Sequence, residues 1–350
     1  MSDINAMPPM PSDGLSAEIP DGIPSGRTPV RADSSVVRQL AQLDRTESAL
    51  VLASGMAAVA CTMMALLRPG DHLLASGWLR PETRRFFEHE LPALGVQVGF
   101  VDPTVTRGWR RALTRTTRLV YLESPVDPMT RVVDMRPVRT LAQELGLALV
   151  VDATLASPIN FRPVEHGADV VVHSASVFLD GHGNGGAGVV CGSEAVVDEV
   201  RAKMRSWGSA PHAAAVEHLA RGLKTLGVRV AKQNATAMLV AQWAASHATS
   251  DGAVRAVYYP GLATHPDHTV ATECFSGYGG LIALVMRGGD AAVGALLGRL
   301  QQFRVRDAES GARLGGVESV ASALSEGSVR LNIGLDEAST LIGDLTQALE

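Results

Sequence analysis

The chain has 350 residues, 46% of them apolar and 19% charged, with a formal net charge of −5. This length exceeds what one core of about 250–300 residues fills, so two domains are expected. The mildly acidic balance argues against a nucleic-acid or polyanion surface, and no nucleic-acid partner is expected.

No run reaches the roughly 18–20 uninterrupted apolar residues of a membrane span, and the first residues lack the basic-then-apolar plan of a signal peptide. A soluble, cytoplasmic protein without a membrane partner is the expectation. Cys61, Cys191 and Cys274 lie far apart in sequence, which suggests neither a disulfide framework nor a thiolate zinc site; all three read as buried thiols, and no metal is expected. Of the 31 basic residues only Lys203, Lys224 and Lys232 are lysines. Arginine cannot stand in for lysine in imine chemistry, because its guanidinium stays protonated.

In chain order, residues 1–33 are rich in Pro, Ser, Gly and Asp without periodicity and read as a flexible arm. From Ser34, helical stretches alternate with the apolar runs SALVLAS, DHLLAS, VQVGFVD, TRLVYLES, LALVVDAT, ADVVVHS and GAGVVCG. Continuous hydrophobicity in such runs marks strands covered on both faces, which predicts a mostly parallel sheet flanked by helices. A long helical stretch is predicted over about His212 to Ser246. A smaller α/β unit follows, around VRAVYYPG, GLIALVMRG and SVRLNIGL. The division expected is an arm at 1–33, a large domain at 34–232 and a small C-terminal domain at 233–350.

Open parallel sheets bind ligands beyond the carboxyl ends of their strands. The polar clusters there are Ser54-Gly55-Met56, Glu123-Ser124-Pro125, Asp152-Ala153-Thr154 and Ser174-Ala175-Ser176. Ser54-Gly55-Met56 at a strand-to-helix turn suits a phosphate at a helix N-terminus, although a plain helix cap uses the same residues. Asp152 at a strand end either caps the next turn or holds a protonated ring nitrogen. Gly181, Gly183 and Gly186 spell G-x-G-x-x-G, but the loop runs on into GVVCG, another apparent strand, so a dinucleotide site is not read here.

Together, ASGMAAV, LRPGDHLLAS, FVDP, LVYLESPVDP, VVDATLASP, RPVEHGADVVVHSAS, RGLKTL, YYPGL, HPDH, SGYGG, LGGVES and SVRLNIG occur in one order. From about Ser34 to Glu350 the chain resembles the cysteine and methionine metabolism family of pyridoxal-phosphate (PLP) enzymes: cystathionine γ-synthase, cystathionine lyases and methionine γ-lyase. The resemblance implies the α/β architecture of PLP fold type I, the aspartate-aminotransferase-like class. It also implies sites at a dimer interface, in a homodimer or homotetramer. It implies phosphate-binding amides at Gly55 and Met56 beside Ser54, hydroxyls from Ser174 and Ser176 on the same phosphate, and Asp152 on the pyridine nitrogen. Arg330 matches the arginine that clamps a substrate α-carboxylate, and Arg27 the one sent by a neighbouring subunit to the phosphate.

The departures fall on the chemistry. Where the resemblance calls for the Schiff-base lysine the chain has Val177, and the ring-stacking tyrosine corresponds to Arg80, which can stack but is a poor acid or base. Family asparagines correspond to Asp127 and Ala153, the serine before LGG to Arg313, and a tyrosine of the arm to Ser25. The expected protein is therefore a lysine-less homologue with Arg80, Arg84 and Arg313 as candidate pocket cations and His182 and Asp127 as candidate proton carriers. PLP, if bound, would be non-covalent, and a cofactor-free state is an equal alternative. Two readings stay open: a repurposed enzyme acting on an anionic amino-acid-like substrate or a PLP–amino-acid adduct, or a non-catalytic subunit or scaffold, including a hetero-oligomer with an active relative. A conventional lyase or γ-synthase is the third.

Overall fold

The computed structural model describes residues 34–183, 186–307 and 314–350. Arg27 and Ser25 of the arm, and Arg313, lie outside the described residues.

The seven apolar runs of the first part form strands β1 (Ser48–Leu52), β2 (His72–Ser76), β3 (Gln97–Val101), β4 (Thr117–Glu123), β5 (Ala148–Asp152), β6 (Val170–Ser174) and β7 (Gly188–Gly192). They make one sheet in the order β1-β7-β6-β5-β4-β2-β3. Every pairing is parallel except those of β7, which runs against both β1 and β6. Both faces are covered, as the continuous hydrophobicity requires. Consecutive valines divide between them: Val151 and Val171 pack in one core cluster, Val150 and Val170 in another on the opposite face.

Parallel order puts the carboxyl ends of β4, β5 and β6 at one edge, where Glu123 and Asp152 are register partners. Because β7 is antiparallel to both neighbours, its Gly188 sits opposite Leu52 of β1 and Ser174 of β6. The turn after β1 thus reaches the same edge as the turn after β6. There the helix Gly55–Leu66 begins, capped by Ser54 Oγ, which accepts from the Ala57 amide at 3.0 Å.

The long helix predicted over His212 to Ser246 is broken at Lys224-Thr225 into Ala213–Leu223 and Leu226–Ser246. Arg229, 4% exposed, lies just beyond the break. Its guanidinium donates to the carbonyls of Phe178 (2.9 Å) and Gly222 (3.0 Å) and reaches that of Leu179 at 3.4 Å. A Cβ on Gly222 would lie 2.3 Å from the Asp180 carbonyl oxygen, so only glycine lets the first helix abut the segment after β6. That tertiary contact, invisible to periodicity, breaks the helix.

The last part holds a five-stranded sheet of β8 (Val254–Tyr258), β9 (Leu281–Met286), β10 (Arg304–Val305), β11 (Val320–Leu324) and β12 (Ser328–Asn332), in the order β10-β11-β12-β9-β8. All its pairings are antiparallel but β10 with β11. The helix Leu226–Ser246 joins the two parts. Its Leu226 and Val230 belong to the core of the large sheet, and its Ala237, Val240 and Ala241 to that of the small one.

Cys61 and Cys191 are buried as expected; Cys274 is only half-buried. No helix among the described residues is long and apolar enough to cross a membrane.

Replacing Arg229 with leucine leaves buried carbonyls without donors, and we expect a loss of about 2–4 kcal/mol in urea unfolding. Faster amide exchange at residues 178–183 would accompany it. Unchanged exchange there would show that the guanidinium does not hold this segment.

Candidate functional site

The turns after β1, β5 and β6 meet at the carboxyl edge of the sheet. Ser174 Oγ and Ser176 Oγ are 3.2 Å apart, next to the first turn of the helix Gly55–Leu66. A Cβ on Gly55 would lie 2.7 Å from Ser174 Cβ and 2.9 Å from its Oγ, so backbone amides approach the hydroxyls only because this residue is glycine. Thr154 links the cluster to the next strand. Its Oγ1 accepts from the Ser174 amide at 2.8 Å and donates to Asp152 Oδ1, which also accepts from the Thr154 amide at 2.9 Å.

The other oxygen of Asp152 faces Arg80. Arg80 Nη2 donates to Asp152 Oδ2 at 3.0 Å, and its Nε lies 3.5 Å from Glu123 Oε2. The Arg80 amide donates to that same Glu123 oxygen at 3.1 Å, which fixes the residue at the start of the short helix Pro81–Arg85. The Arg80 side chain is 21% exposed, against 3% for each carboxylate. The guanidinium expected to stack on a ring is bound through its N–H edge to the two acids. Burial opposes its charge, yet Asp152 and Glu123 hold its pKa above the ordinary range.

Glu123 was not singled out for a role from sequence. Burial, reinforced by the Asp152 charge and opposed by Arg80, pushes its carboxyl to about 7. Its Oε1 is buried and meets no donor at hydrogen-bond geometry. The clue in the sequence was its place at the end of an apolar run; its proximity to Asp152 depends on the register of β4 against β5.

A second ion pair joins the small sheet to the loop after β4. Arg330, on β12 and 6% exposed, donates through Nη1 to Asp127 Oδ2 in the loop after β4. Burial raises the Asp127 pKa, against the lowering effect of Arg330. Arg330, expected to receive a substrate carboxylate, and Asp127, expected to carry protons, face each other as an ion pair.

Val177 is 8% exposed and belongs to the larger core cluster, and its amide donates to the Ser174 carbonyl at 3.3 Å. Arg84, a candidate pocket cation, pairs with Glu88 at 2.8 Å, donates to the Gly77 carbonyl and lies over the Phe100 ring, with 42% of its side chain exposed. His182 lines a cavity of about 210 Å³ with Asp180, His218 and Arg221, a lining that includes neither Asp152 nor Arg330. Its Nδ1 contacts the Asp180 carbonyl at 3.2 Å.

The raised pKa of Glu123 sets a pH dependence. Because the folded value, about 7, exceeds the ordinary 4.5, its contribution to stability is full below about pH 4.5 and is lost as pH rises through 7. The amplitude is at most about 3 kcal/mol. We expect Glu123→Gln to flatten the decline in unfolding free energy between pH 5.5 and 8.5. Parallel profiles for the two proteins would contradict a carboxyl held protonated by the fold.

A family profile described as Cys/Met metabolism PLP-dependent enzyme matches residues 25–324. L-Methionine gamma-lyase of Pseudomonas putida is 37% identical over 329 residues, covering 89% of this chain and 81% of that protein. Cystathionine gamma-synthase of Mycobacterium leprae is 33% identical, covering 96% of this chain and 88% of that one. Among solved structures, cystathionine gamma synthase from Xanthomonas oryzae pv. oryzae, in complex with aminoacrylate and cysteine, aligns with a TM-score of 0.84. It is 29% identical, over 90% of this chain and 84% of that one. The sheet is that of PLP fold type I, and the chain belongs to the Cys/Met metabolism PLP-dependent enzyme family.

Proposed function

We propose that this chain is a lysine-less member of its family that does not run the family's chemistry by itself and serves as a non-catalytic subunit or small-molecule-binding scaffold. The observation that carries this reading is Val177, a buried hydrocarbon that follows the Ser174-Ala175-Ser176 turn. Covalent capture of an aldehyde cofactor requires an amine within bonding distance. The three lysines are committed elsewhere. Lys203 lies on the helix Glu194–Ser206, Lys224 caps the helix Ala213–Leu223 in an exposed position, and Lys232 pairs with Glu337 at 2.8 Å.

The internal pairing of Arg80 with Asp152 and of Arg330 with Asp127 supports the same reading, since both retained recognition groups already have partners. The names of the relatives, a methionine lyase and a cystathionine synthase, suggest amino-acid-like ligands. Assembly as a homodimer or homotetramer, or with an active relative, belongs to this proposal.

One observation favours the repurposed-enzyme reading. Glu123, with a pKa near 7, is a carboxyl able to take up and release a proton at neutral pH beside Arg80. An anionic amino-acid-like substrate, or a preformed PLP–amino-acid adduct, would be its target.

The test assays the purified chain with PLP against cystathionine and methionine, then treats it with borohydride and maps the peptides. We expect no turnover above background and no reduced lysine adduct. Turnover by the unaltered polypeptide would overturn the proposal. Activity that depends on Glu123 and follows a pH limb near 7 would select the second reading; activity gained on mixing with an active relative would select the subunit role.

A further inference from the structure

The cluster at the sheet edge divides into two halves that treat PLP differently. The phosphate half fits: Gly55 leaves space that a Cβ would fill, and the Ser174 and Ser176 hydroxyls converge beside it. The ring half does not. A pyridinium would bring one positively charged N–H to Asp152, but Asp152 Oδ1 already accepts from Thr154 twice and Oδ2 accepts from Arg80 Nη2 at 3.0 Å.

We infer that Arg80 is a built-in substitute for the ring nitrogen of PLP: its guanidinium neutralises Asp152 from within the chain and excludes the pyridine ring. Four observations converge on this residue. Its amide is anchored on Glu123 Oε2 at 3.1 Å, so its backbone cannot drift away from the acids. Its Nε and Nη2 span the two carboxylates, which are register partners on adjacent parallel strands. Both acids are 3% exposed, and a charged Asp152 beside Glu123 is stabilised there by a cation. Pro81 and Glu82 continue directly into the helix Pro81–Arg85, which limits the slack of the segment.

A ring nitrogen that took Asp152 Oδ2 from Arg80 would displace a charge-assisted bond and leave the guanidinium only Glu123, whose Oε2 lies 3.5 Å from its Nε. Asp152 therefore has its counter-ion within the chain, without a cofactor. This extends the proposed non-catalytic reading and rests on the same site, but it fails separately. Turnover by the unaltered chain would sink that reading, whereas ring binding without turnover would sink only this one.

The test uses pyridoxamine 5′-phosphate, which carries the ring and phosphate but no aldehyde and so cannot form imines with surface amines. Equilibrium dialysis and thermal unfolding are run on the full chain, Arg80→Gln and Arg80→Ala. We expect no binding by the unaltered chain at millimolar ligand. Both variants should bind at least about tenfold more tightly than that limit, the factor set by one charge-assisted hydrogen bond. Their melting temperatures should start lower and rise with ligand by mass action. Equal affinity of the unaltered chain and the variants would overturn the inference, as would no binding by any of them.

Should the Arg80 variants not fold, the comparison moves to Asp152→Asn and Arg80→Lys, each singly and together. Non-additive losses of stability would show that Arg80 and Asp152 act as a pair. Additive losses would overturn the assignment.

Discussion

Two buried carboxylates meet at the carboxyl edge of the large sheet because parallel pairing of β4 and β5 sets Glu123 beside Asp152. Leaving both charged without a cation would cost several kcal/mol, since each is almost wholly removed from water. Arg80 answers that constraint from the turn after β2, contributing both its amide and its guanidinium. The rest of the site follows from it. Asp152 is held on its other oxygen by Thr154, Thr154 holds the Ser174 amide, and Ser174 faces Gly55 and Ser176.

The same logic recurs across the two sheets. Arg330 comes from β12 of the small sheet, and Asp127 from the loop after β4 of the large one. The pair ties together segments about two hundred residues apart in sequence. At the sheet edge, burial, with the Asp152 charge adding to it and Arg80 opposing it, raises the Glu123 carboxyl to about 7. A site arranged this way is pre-organised by its own ion pairs. Asp152 is restrained by Arg80, and Arg330 by Asp127.

Much of the fold was legible in the residues. The seven apolar runs of the first part and the three named runs of the second became strands, and their continuous hydrophobicity signalled burial on both faces, because a two-sided sheet has no solvent face to mark by alternation. The predicted helical stretch over His212 to Ser246 holds two helices that meet at Lys224-Thr225. Its sequence keeps a helical pattern, while the break serves a contact between Gly222 and the Asp180 segment that no local window contains. A run of arginines after Trp78 does not show which of them points inward; Arg80 binds the buried acids, while Arg84 pairs with Glu88 one turn on.

The sequence by itself determined the fold class, the strand ends at which a site would form, and the absence of an amine at position 177, because patterning, turn chemistry and residue identity are local properties. Only the tertiary structure decided that Arg80 binds Asp152 and Glu123, that Asp127 binds Arg330, and that His182 belongs to another cavity. Those outcomes depend on sheet register and on contacts between distant segments. A charged side chain withdrawn from water takes as its partner whichever opposite charge the folded backbone brings within reach.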